Sequence, residues 1–492
     1  VQGGIHAGEI DGKDAGFLLL REALERKDPN SALAKQVMLF IPVFNVDGHE
    51  RFGPWNRMNQ RGPREMGWRT TAQNYNLNRD YVKADAPEMQ AMLRLLEEWD
   101  PLVCMDLHVT DGAKFEHHLS VQVEPLYSGD EELRKIGLAL REETIAALSA
   151  KDWLPLNFYP SFMKDDEPQT GFEQGVAQPR FSTGYFPLRN RFCMLVETHS
   201  WKDYPTRVRA THDTIAAVLA LIAEHGSEWR KAAHDADKRA TQLAGQTLPL
   251  TYEASETART IQFRGYEYTR TMPEVSGALM TRYDEAKPQI WDVPLREDVR
   301  PAISVTLPAA GYLVPVAHAE MVGEKLRQHG IAFEVVKRPL SGVELEVFRA
   351  TKLSLAEKSF EGHQELALEG EWKPERRDLL GGALFVPIAQ PKARLVAAML
   401  EPRAPDSLAA WGYFNAMFEQ KEFMEAYVAE EIAREMLAKD TALAAEFQKR
   451  LAEDPEFAKS SSERLQFFAR RHPSWDDRIN LYPIFRTATK PN

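Results

Sequence analysis

The sequence predicts an α/β fold in which a mixed, mostly parallel sheet is flanked by helices, followed by a β-rich region and a helical tail. Two apolar runs, at 101–109 and 191–200, are too short and too rich in Val and Leu for helices, which is typical of strands buried on both faces. Stretches with helical periodicity at 14–25 and 86–99 lie before the first of them, on either side of another apolar run at 36–48. Strands that alternate with helices favour a mostly parallel sheet.

The same patterns predict the remaining strands and helices along the chain. "VQGGI" at 1–5 is typical of the end of a strand, and "QVMLFIPVFNVDG" at 36–48 predicts an apolar strand that ends in a turn. A long helical stretch is predicted from about 211 to 245. Beyond it the patterns predict mainly strands with one helix between them, and 405–470 is predicted to be largely helical.

Length and composition indicate two or three domains in a chain of 492 residues with 43% hydrophobic and 27% charged residues. We predict a catalytic domain at 1–235, an accessory β-rich region at 246–400 and a helical region at 401–492. No apolar run approaches the roughly 20 residues of a transmembrane segment. The net charge of −12 argues against a nucleic-acid partner. Cys104 and Cys193 lie in apolar runs and are predicted to be buried thiols.

Three residues are suited to hold a metal ion. His6 and Glu9 in "GGIHAGEI" stand three positions apart, a spacing that is also common in ordinary polar loops. His108 and Glu197 lie near the ends of the two buried strands, where sites form in α/β sheets. Two histidines and a glutamate leave one position open, as catalytic zinc does, and Glu197 is then free to act as a base. "FEHH" at 115–118 is a rival cluster, but adjacent histidines on a strand point to opposite faces, so we expect it at the surface.

Five ordered landmarks give the chain a family resemblance: "HAGE" at 6–9, "NVDG" at 45–48, "NLNRDY" at 76–81, "DLH" at 106–108 and "ETHS" at 197–200. With them it resembles the zinc metallocarboxypeptidases of the carboxypeptidase A-like family, in particular bacterial members with a C-terminal extension. The resemblance implies a carboxypeptidase-like fold and one Zn²⁺ ion held by His6, Glu9 and His108. Glu197 would be the general base. Family members have two further strands and a helix before this loop, so we expect the N-terminal strands of the domain to be missing.

The resemblance also implies the residues that bind the substrate. Asn78 and Arg79 match the pair that grips the free C-terminal carboxylate, for which a guanidinium fork is well suited. Arg57 is the predicted stabiliser of the oxyanion, with Arg61 as a rival, and either could be a solvated loop charge. Tyr185 is predicted either to close over the substrate or to pack in the core.

One departure concerns the support of the zinc histidines. Where many relatives have an acidic residue two places before the Asn-Arg pair, this chain has Asn76, so we expect the support to come from elsewhere. Asp106 is a candidate because it lies two positions from His108 on the same side of the strand, and the alternative is that it is only a neighbour in the sequence.

The predicted function is a zinc-dependent carboxypeptidase that removes C-terminal residues from peptides with a free C-terminal carboxylate. The alternatives are an amidase or endopeptidase acting on peptidoglycan stem peptides, and a non-catalytic peptide-binding protein on a peptidase scaffold. A periplasmic or extracellular location is expected, with a secretion signal in the precursor before Val1.

Overall fold

A five-stranded sheet organises the first half of the chain in this computed structural model, which describes residues 1–491. Asn492, the last residue of the predicted helical region, lies outside the described residues. The strands of this half are β1 (Gln2–Gly3), β2 (Val103–Val109), β3 (Leu119–Glu124), β4 (Pro155–Leu156), β5 (Phe172–Glu173) and β6 (Phe192–Thr198). The sheet has the order β1-β2-β6-β3-β4, while β5 joins another sheet. Among its neighbouring strand pairs only β3 with β6 is antiparallel, and the other three pairs are parallel. The predicted mixed, mostly parallel sheet is therefore confirmed.

Helices cover this sheet on both sides. They are α1 (Asp11–Arg26), α2 (Val46–Glu50), α3 (Pro87–Trp99), α4 (Glu131–Ser149), α5 (Ser182–Tyr185) and α6 (Tyr204–Ala240), with short 3-10 turns at Ala32–Lys35, Leu77–Arg79, Pro168–Thr170 and Phe186–Arg189. Apolar side chains of α1, α4 and α6 pack against the sheet in one core. The Asp203 carboxylate caps the start of α6 by accepting a hydrogen bond from the Thr206 amide at 2.8 Å.

The strand predicted at 36–48 does not form. Only Ile41 makes a bridge, to Gln2, and the end of the stretch turns into α2. The amide of Gly3 donates a hydrogen bond to the Ile41 carbonyl at 2.9 Å. Because β1 is two residues long, it offers this segment too few partners for a continuous ladder.

The second half of the chain is rich in antiparallel strands. They are β7 (Thr247–Ala254), β8 (Arg259–Thr271), β9 (Met280–Arg296), β10 (Val299–Thr306), β11 (Gly311–Val314), β12 (Glu334–Val336), β13 (Leu340–Leu355), β14 (Leu366–Leu379), β15 (Ala383–Pro387) and β16 (Phe485–Thr487). Six of them form an antiparallel sheet of order β12-β15-β11-β16-β13-β14. The hairpin of β8 and β9 is extended by β5 from the first half.

Helices complete the second half. They are α7 (Val316–Gln328), α8 (Ala393–Leu400), α9 (Ala426–Lys439), α10 (Thr441–Glu453), α11 (Pro455–Lys459) and α12 (Ser461–Ala469), with a 3-10 turn at Asn415–Phe418. The predicted β-rich region with a helical tail is therefore confirmed. No helix within residues 1–491 is both long enough and apolar enough to cross a membrane.

One large core joins the two halves. Leu93 of α3 belongs to the same buried cluster as Val314 of β11, Leu395 of α8 and Tyr482. The second half is therefore packed directly against the helix that follows the predicted carboxylate-binding pair. The domain boundaries at 235, 246 and 400 stay a prediction.

Candidate metal centre and active-site cavity

Three parallel strands bring the sequence-predicted residues to one edge of the sheet. His6 follows β1, His108 lies in β2 and Glu197 lies in β6, where His108 and Glu197 are register partners. The carboxyl ends of neighbouring parallel strands meet at the same edge. These residues are therefore close in space although they are far apart in the sequence.

The loop from His6 to Glu9 is a tight turn, closed by a hydrogen bond from the Glu9 amide to the His6 carbonyl at 2.9 Å. Gly8 lies inside this turn. A Cβ atom at Gly8 would lie 2.7 Å from Cδ of Arg57 and 2.8 Å from the carbonyl oxygen of Gly67. The absence of a side chain thus lets the loop close against its neighbours.

The side chains of His6, Glu9 and His108 converge on one point. Nδ1 of His6 lies 2.9 Å from Oε1 of Glu9, and Nδ1 of His108 lies 2.9 Å from Oε2 of Glu9. One ligand atom from each residue lies within 4.8 Å of the other two, and all three residues are buried. Two imidazoles and a carboxylate are a donor set that suits zinc and leaves a position free. Within residues 1–491 no other group of three His, Cys, Asp or Glu donors clusters in this way.

The outer nitrogens of both histidines face other polar groups. Nε2 of His6 is hydrogen-bonded to Oδ1 of Asn76 at 3.1 Å, whereas Nε2 of His108 lies 3.2 Å from Oδ1 of Asp106 without the angle of a hydrogen bond. The Asp106 carboxylate is held in turn by Gln2 at 2.9 Å and by Ser182 at 2.6 Å. A proton on Nε2 leaves the Nδ1 lone pair free to bind a metal. Asn76 therefore occupies the supporting position although it is not acidic.

The charges at this centre suit a divalent cation. Burial lowers the pKa of His6 to about 4, so its imidazole is neutral near pH 7. Burial opposes ionisation of Glu9, but Arg57 and the two histidines hold the pKa of its carboxyl well below the usual range. Burial also lowers the pKa of His108, yet Asp106, Glu9 and Glu197 raise it well above its ordinary value. Several acidic groups thus surround two imidazoles, and a cation bound between them would offset that negative charge.

Glu197 lies in the same cavity as the three candidate ligands. This cavity has a volume of about 340 Å³ and is also lined by Asn78, Arg79 and other residues named below. Burial raises the pKa of Glu197 to about 8, an effect that His108 opposes. Its Oε2 atom is buried without a hydrogen-bond partner among the described residues. A buried carboxylate with a free oxygen can accept a proton from a reactant.

Asn78 and Arg79 line this cavity from the 3-10 turn at Leu77–Arg79. The Arg79 guanidinium lies over the ring of Phe181, with 4.4 Å between Cζ and the ring centroid, and donates to the Asn78 carbonyl at 2.7 Å. Within residues 1–491 no carboxylate lies within salt-bridge distance of it. Its charge is therefore available to an anionic group of a ligand.

The structure places Arg57 beside Glu9 and outside the lining of the cavity. Its Nη1 atom donates to Oε1 of Glu9 at 2.6 Å, and Nη2 donates to the Val109 carbonyl at 3.0 Å. Its side chain is 9% exposed and is not among the residues that line the cavity. Arg57 thus holds the Glu9 carboxylate from behind, which does not favour its predicted role at the oxyanion. The rival Arg61 is paired with Glu285 outside this cavity.

Arg69 and Tyr159 are polar residues of the cavity that the sequence patterns did not predict. Arg69 lines the cavity, has a side chain that is 41% exposed, and brings Nη1 to 3.8 Å from Oε1 of Glu9. Tyr159 lines it from the loop before β5, and the nearby Glu197 charge together with burial raises the pKa of the Tyr159 hydroxyl. Arg69 could have been considered because it follows Trp68 in the loop that leads to Arg79. No local pattern distinguishes Tyr159, which reaches the cavity only through tertiary folding.

Tyr185 does not reach the cavity. It is fully buried, its hydroxyl pairs with Nδ1 of His329 at 2.8 Å, and its ring lies 5.4 Å from that of Tyr81. This placement favours the packing alternative over the predicted substrate contact. The reason is that Tyr185 belongs to the core that joins the two halves of the chain.

The rival histidines at 117 and 118 are half-buried rather than at the surface. Nδ1 of His118 accepts a hydrogen bond from the Leu154 amide at 3.1 Å, and Nδ1 of His117 lies 3.3 Å from the Leu154 carbonyl. These contacts fasten the start of β3 to the loop before β4. Their role is therefore structural.

Comparison with known proteins agrees with the geometry of the first half. The profile of the family described as zinc carboxypeptidase matches residues 1–120, which include His6, Glu9 and His108. This region is therefore similar to the zinc carboxypeptidase family. The family resemblance carried by the sequence landmarks is thereby confirmed, and the match to this family implies a metal ion. No curated protein matches the sequence of the chain significantly.

Several solved structures are similar to part of the chain. A putative metallopeptidase from Shewanella denitrificans is 20% identical, with 45% of this chain and 73% of that chain covered and a TM-score of 0.29. A metallo-carboxypeptidase from Burkholderia cenocepacia is 18% identical, with 45% and 55% covered and a TM-score of 0.33. A metallo-carboxypeptidase from Pseudomonas aeruginosa, in complex with (2-guanidinoethylmercapto)succinic acid, is 15% identical, with 45% and 56% covered and a TM-score of 0.33. The chain thus spans little more than half the length of the last two.

Proposed function

We propose that the protein is a zinc-dependent carboxypeptidase, which hydrolyses the last peptide bond of peptides that carry a free C-terminal carboxylate. The observation that supports it is that the His6, Glu9 and His108 donors converge in the cavity that Glu197 and Arg79 also line. A metal site, a base and an unpaired arginine within one cavity are the parts that this reaction needs.

The residues of the centre divide the chemistry between them. His6, Glu9 and His108 would hold one Zn²⁺ ion, which when bound polarises a peptide carbonyl and makes water more acidic. Glu197 would accept the proton of the attacking water at its free oxygen and pass it to the leaving amine. Because a bound cation favours the charged carboxylate, it would counteract the burial that raises the pKa of Glu197.

Three other side chains would orient the substrate. Arg79 would donate two parallel hydrogen bonds to the C-terminal carboxylate, with Asn78 beside it. Arg69 would stabilise the negative charge that develops on the carbonyl oxygen, since it is the cavity arginine whose side chain is close to Glu9. Tyr159 would form part of the wall around the reacting bond.

The test compares matched peptides that end in a free acid or an amide. We expect the purified protein to release C-terminal residues from the free-acid peptide, as seen by mass spectrometry, and to lose this activity with a chelator until zinc is returned. Arg79→Ala should remove most of the preference for the free acid, and Arg79→Lys should restore only part, because an ammonium cannot form the bidentate fork. Arg61→Ala, which removes an arginine outside this cavity, is the matched control.

Other results would point to the alternatives. Equal kcat/KM for free-acid and amidated peptides would reject the exopeptidase and favour an endopeptidase or an amidase acting on peptidoglycan. Binding of peptides without any hydrolysis by the zinc-loaded protein would favour a non-catalytic binding protein.

A further inference from the structure

A carboxylate of the second half, that of Glu361, reaches the edge of the candidate site. Oε2 of Glu361 accepts a hydrogen bond from the backbone amide of Asn76 at 2.9 Å. Asn76 in turn uses its side-chain oxygen twice, at 3.1 Å from Nε2 of His6 and at 3.0 Å from the amide of Asn78. Glu361 is therefore linked through one residue to both a candidate metal ligand and the start of the turn that carries Arg79.

The backbone at Glu361 is unfavourable for a glutamate. The turn between β13 and β14 is closed by two hydrogen bonds between Phe360 and His363, at 2.8 and 2.9 Å, so that Glu361 and Gly362 are its two central residues. Their φ angles are +48° and +82°. Two-residue turns with positive φ at both positions favour Asn or Asp before Gly. Turn formation alone does not explain a glutamate here, whereas its reach to Asn76 does.

Neighbouring contacts fasten this turn to the first half of the chain. Nε2 of His363 lies 2.7 Å from the Asp85 carboxylate, which also accepts hydrogen bonds from Lys325 at 2.9 Å and from Tyr413 at 2.7 Å. These three partners of Asp85 all belong to the second half. The position of Glu361 relative to Asn76 is thus set by a half-buried polar network and not by one exposed contact.

A second contact supports the other wall of the Arg79 site. Arg180 donates from its backbone amide and from Nε to the Asp406 carboxylate, at 2.6 and 2.7 Å, and Arg180 precedes Phe181, over which Arg79 lies. Burial lowers the pKa of Arg79, as do Arg69 and Arg180, while the Glu361 carboxylate raises it. Residues of the second half therefore hold two segments next to Arg79, the turn that begins at Asn76 and the residue before Phe181.

We propose that Glu361 is a positioning residue of the active site, which holds the turn from Asn76 to Arg79 so that the carboxylate-binding arginine is correctly placed. This inference depends on the proposed carboxypeptidase function for its kinetic consequences. It gives the second half of the chain an indirect part in recognition of the substrate, through the position of the turn.

The test uses substitutions that separate the turn from the carboxylate. Glu361→Asn and Glu361→Gly suit the positive φ angle better, so a purely structural turn would be as stable or more stable. We expect both nevertheless to raise KM for the free-acid peptide by about tenfold, with kcat and bound zinc nearly unchanged, because one charge-assisted hydrogen bond to the turn is lost. Glu361→Gln keeps an oxygen at the same reach and should recover most of the parent KM. Glu357→Asn removes an exposed charge from the same hairpin end and is the control.

Hydrogen exchange tests the same inference without any activity. In Glu361→Asn, backbone amides within 74–81 should exchange about tenfold faster than in the parent, while amides of β2 should not change. Unchanged exchange at 74–81 would overturn the positioning role, and so would a parent-like KM in an active Glu361→Asn protein. If the parent hydrolyses neither peptide, the proposed function fails, and the exchange comparison alone then accepts or rejects the role of Glu361.

Discussion

Oδ1 of Asn76 lies 3.1 Å from Nε2 of His6, so an amide oxygen supports the first candidate zinc ligand. An amide accepts a hydrogen bond from Nε2–H without adding a charge, whereas a carboxylate would make the imidazole more basic. Asn76 therefore contacts His6 from the position at which many relatives have an acidic residue.

Removal of the Asn76 side chain should weaken metal binding. We expect Asn76→Ala to lower the affinity for zinc by about 10- to 100-fold, because the tautomer and orientation of His6 are no longer fixed. Asn76→Asp should keep or increase the affinity. Competition with a chromogenic chelator measures both, with the exposed neighbour variant Gln73→Ala as control. Equal affinities in parent and Asn76→Ala would exclude this role.

Glu197→Gln should separate catalysis from metal binding. The amide keeps the shape of the side chain and cannot take a proton, so kcat should fall by about 10²- to 10⁴-fold while bound zinc stays the same. His108→Ala should instead lose the bound zinc. His234→Ala, at an exposed helix position, should keep both the zinc and the kcat of the parent. Metal analysis and steady-state kinetics on the same preparations provide the comparison. Parent-like kcat in Glu197→Gln would remove Glu197 from the mechanism.

The two arginines near Glu9 should have different effects. Arg69→Ala should lower kcat by about 10²- to 10³-fold with zinc retained, as expected for loss of a group that stabilises an oxyanion. Arg57→Ala should mainly weaken zinc binding, because Glu9 loses the guanidinium that lies 2.6 Å from its carboxylate. Kinetics at saturating zinc together with metal titration separate the two effects. The reverse pattern would return the oxyanion role to Arg57.

Glu124 should make stability depend on pH. Burial raises the pKa of its carboxyl from 4.5 to about 7, although the Leu126 amide and Ser128 donate hydrogen bonds to it. The folded protein therefore holds this proton more tightly than the unfolded chain does. The corresponding stability is fully present below pH 4.5 and is lost as the pH rises through 7, by about 3 kcal/mol.

Glu124→Gln, which stays neutral, should remove this loss. Its free energy of unfolding in urea should be close to that of the parent at pH 5 and higher than that of the parent at pH 8. Glu431→Gln, at an exposed position, should not change the pH dependence. If the free energy of unfolding depends on pH in the same way in the parent and in Glu124→Gln, Glu124 is ionised at little cost in the folded state.

The sequence alone predicted those features that depend on local patterns or on the order of motifs along the chain. The apolar runs at β2 and β6 identified buried strands, and the ends of such strands predicted where His108 and Glu197 would lie. The landmarks from "HAGE" to "ETHS" identified the family. The roles of the predicted site residues remain predictions, and the structure adds that all of them line one cavity: His6, Glu9, His108, Glu197, Asn78 and Arg79.

Only the tertiary structure decided which of several similar residues reach the cavity. Arg57, Arg61 and Arg69 follow one another in one loop, and their sequence spacing does not reveal that the first lies behind Glu9 while the third lines the cavity. Tyr159 and Tyr185 differ in the same way, since one lies in a loop beside the site and the other in a core built with the second half of the chain. Glu361 joins Asn76 across 285 positions. Such contacts depend on the packing of distant segments, which hydrophobic periodicity and motif spacing do not encode.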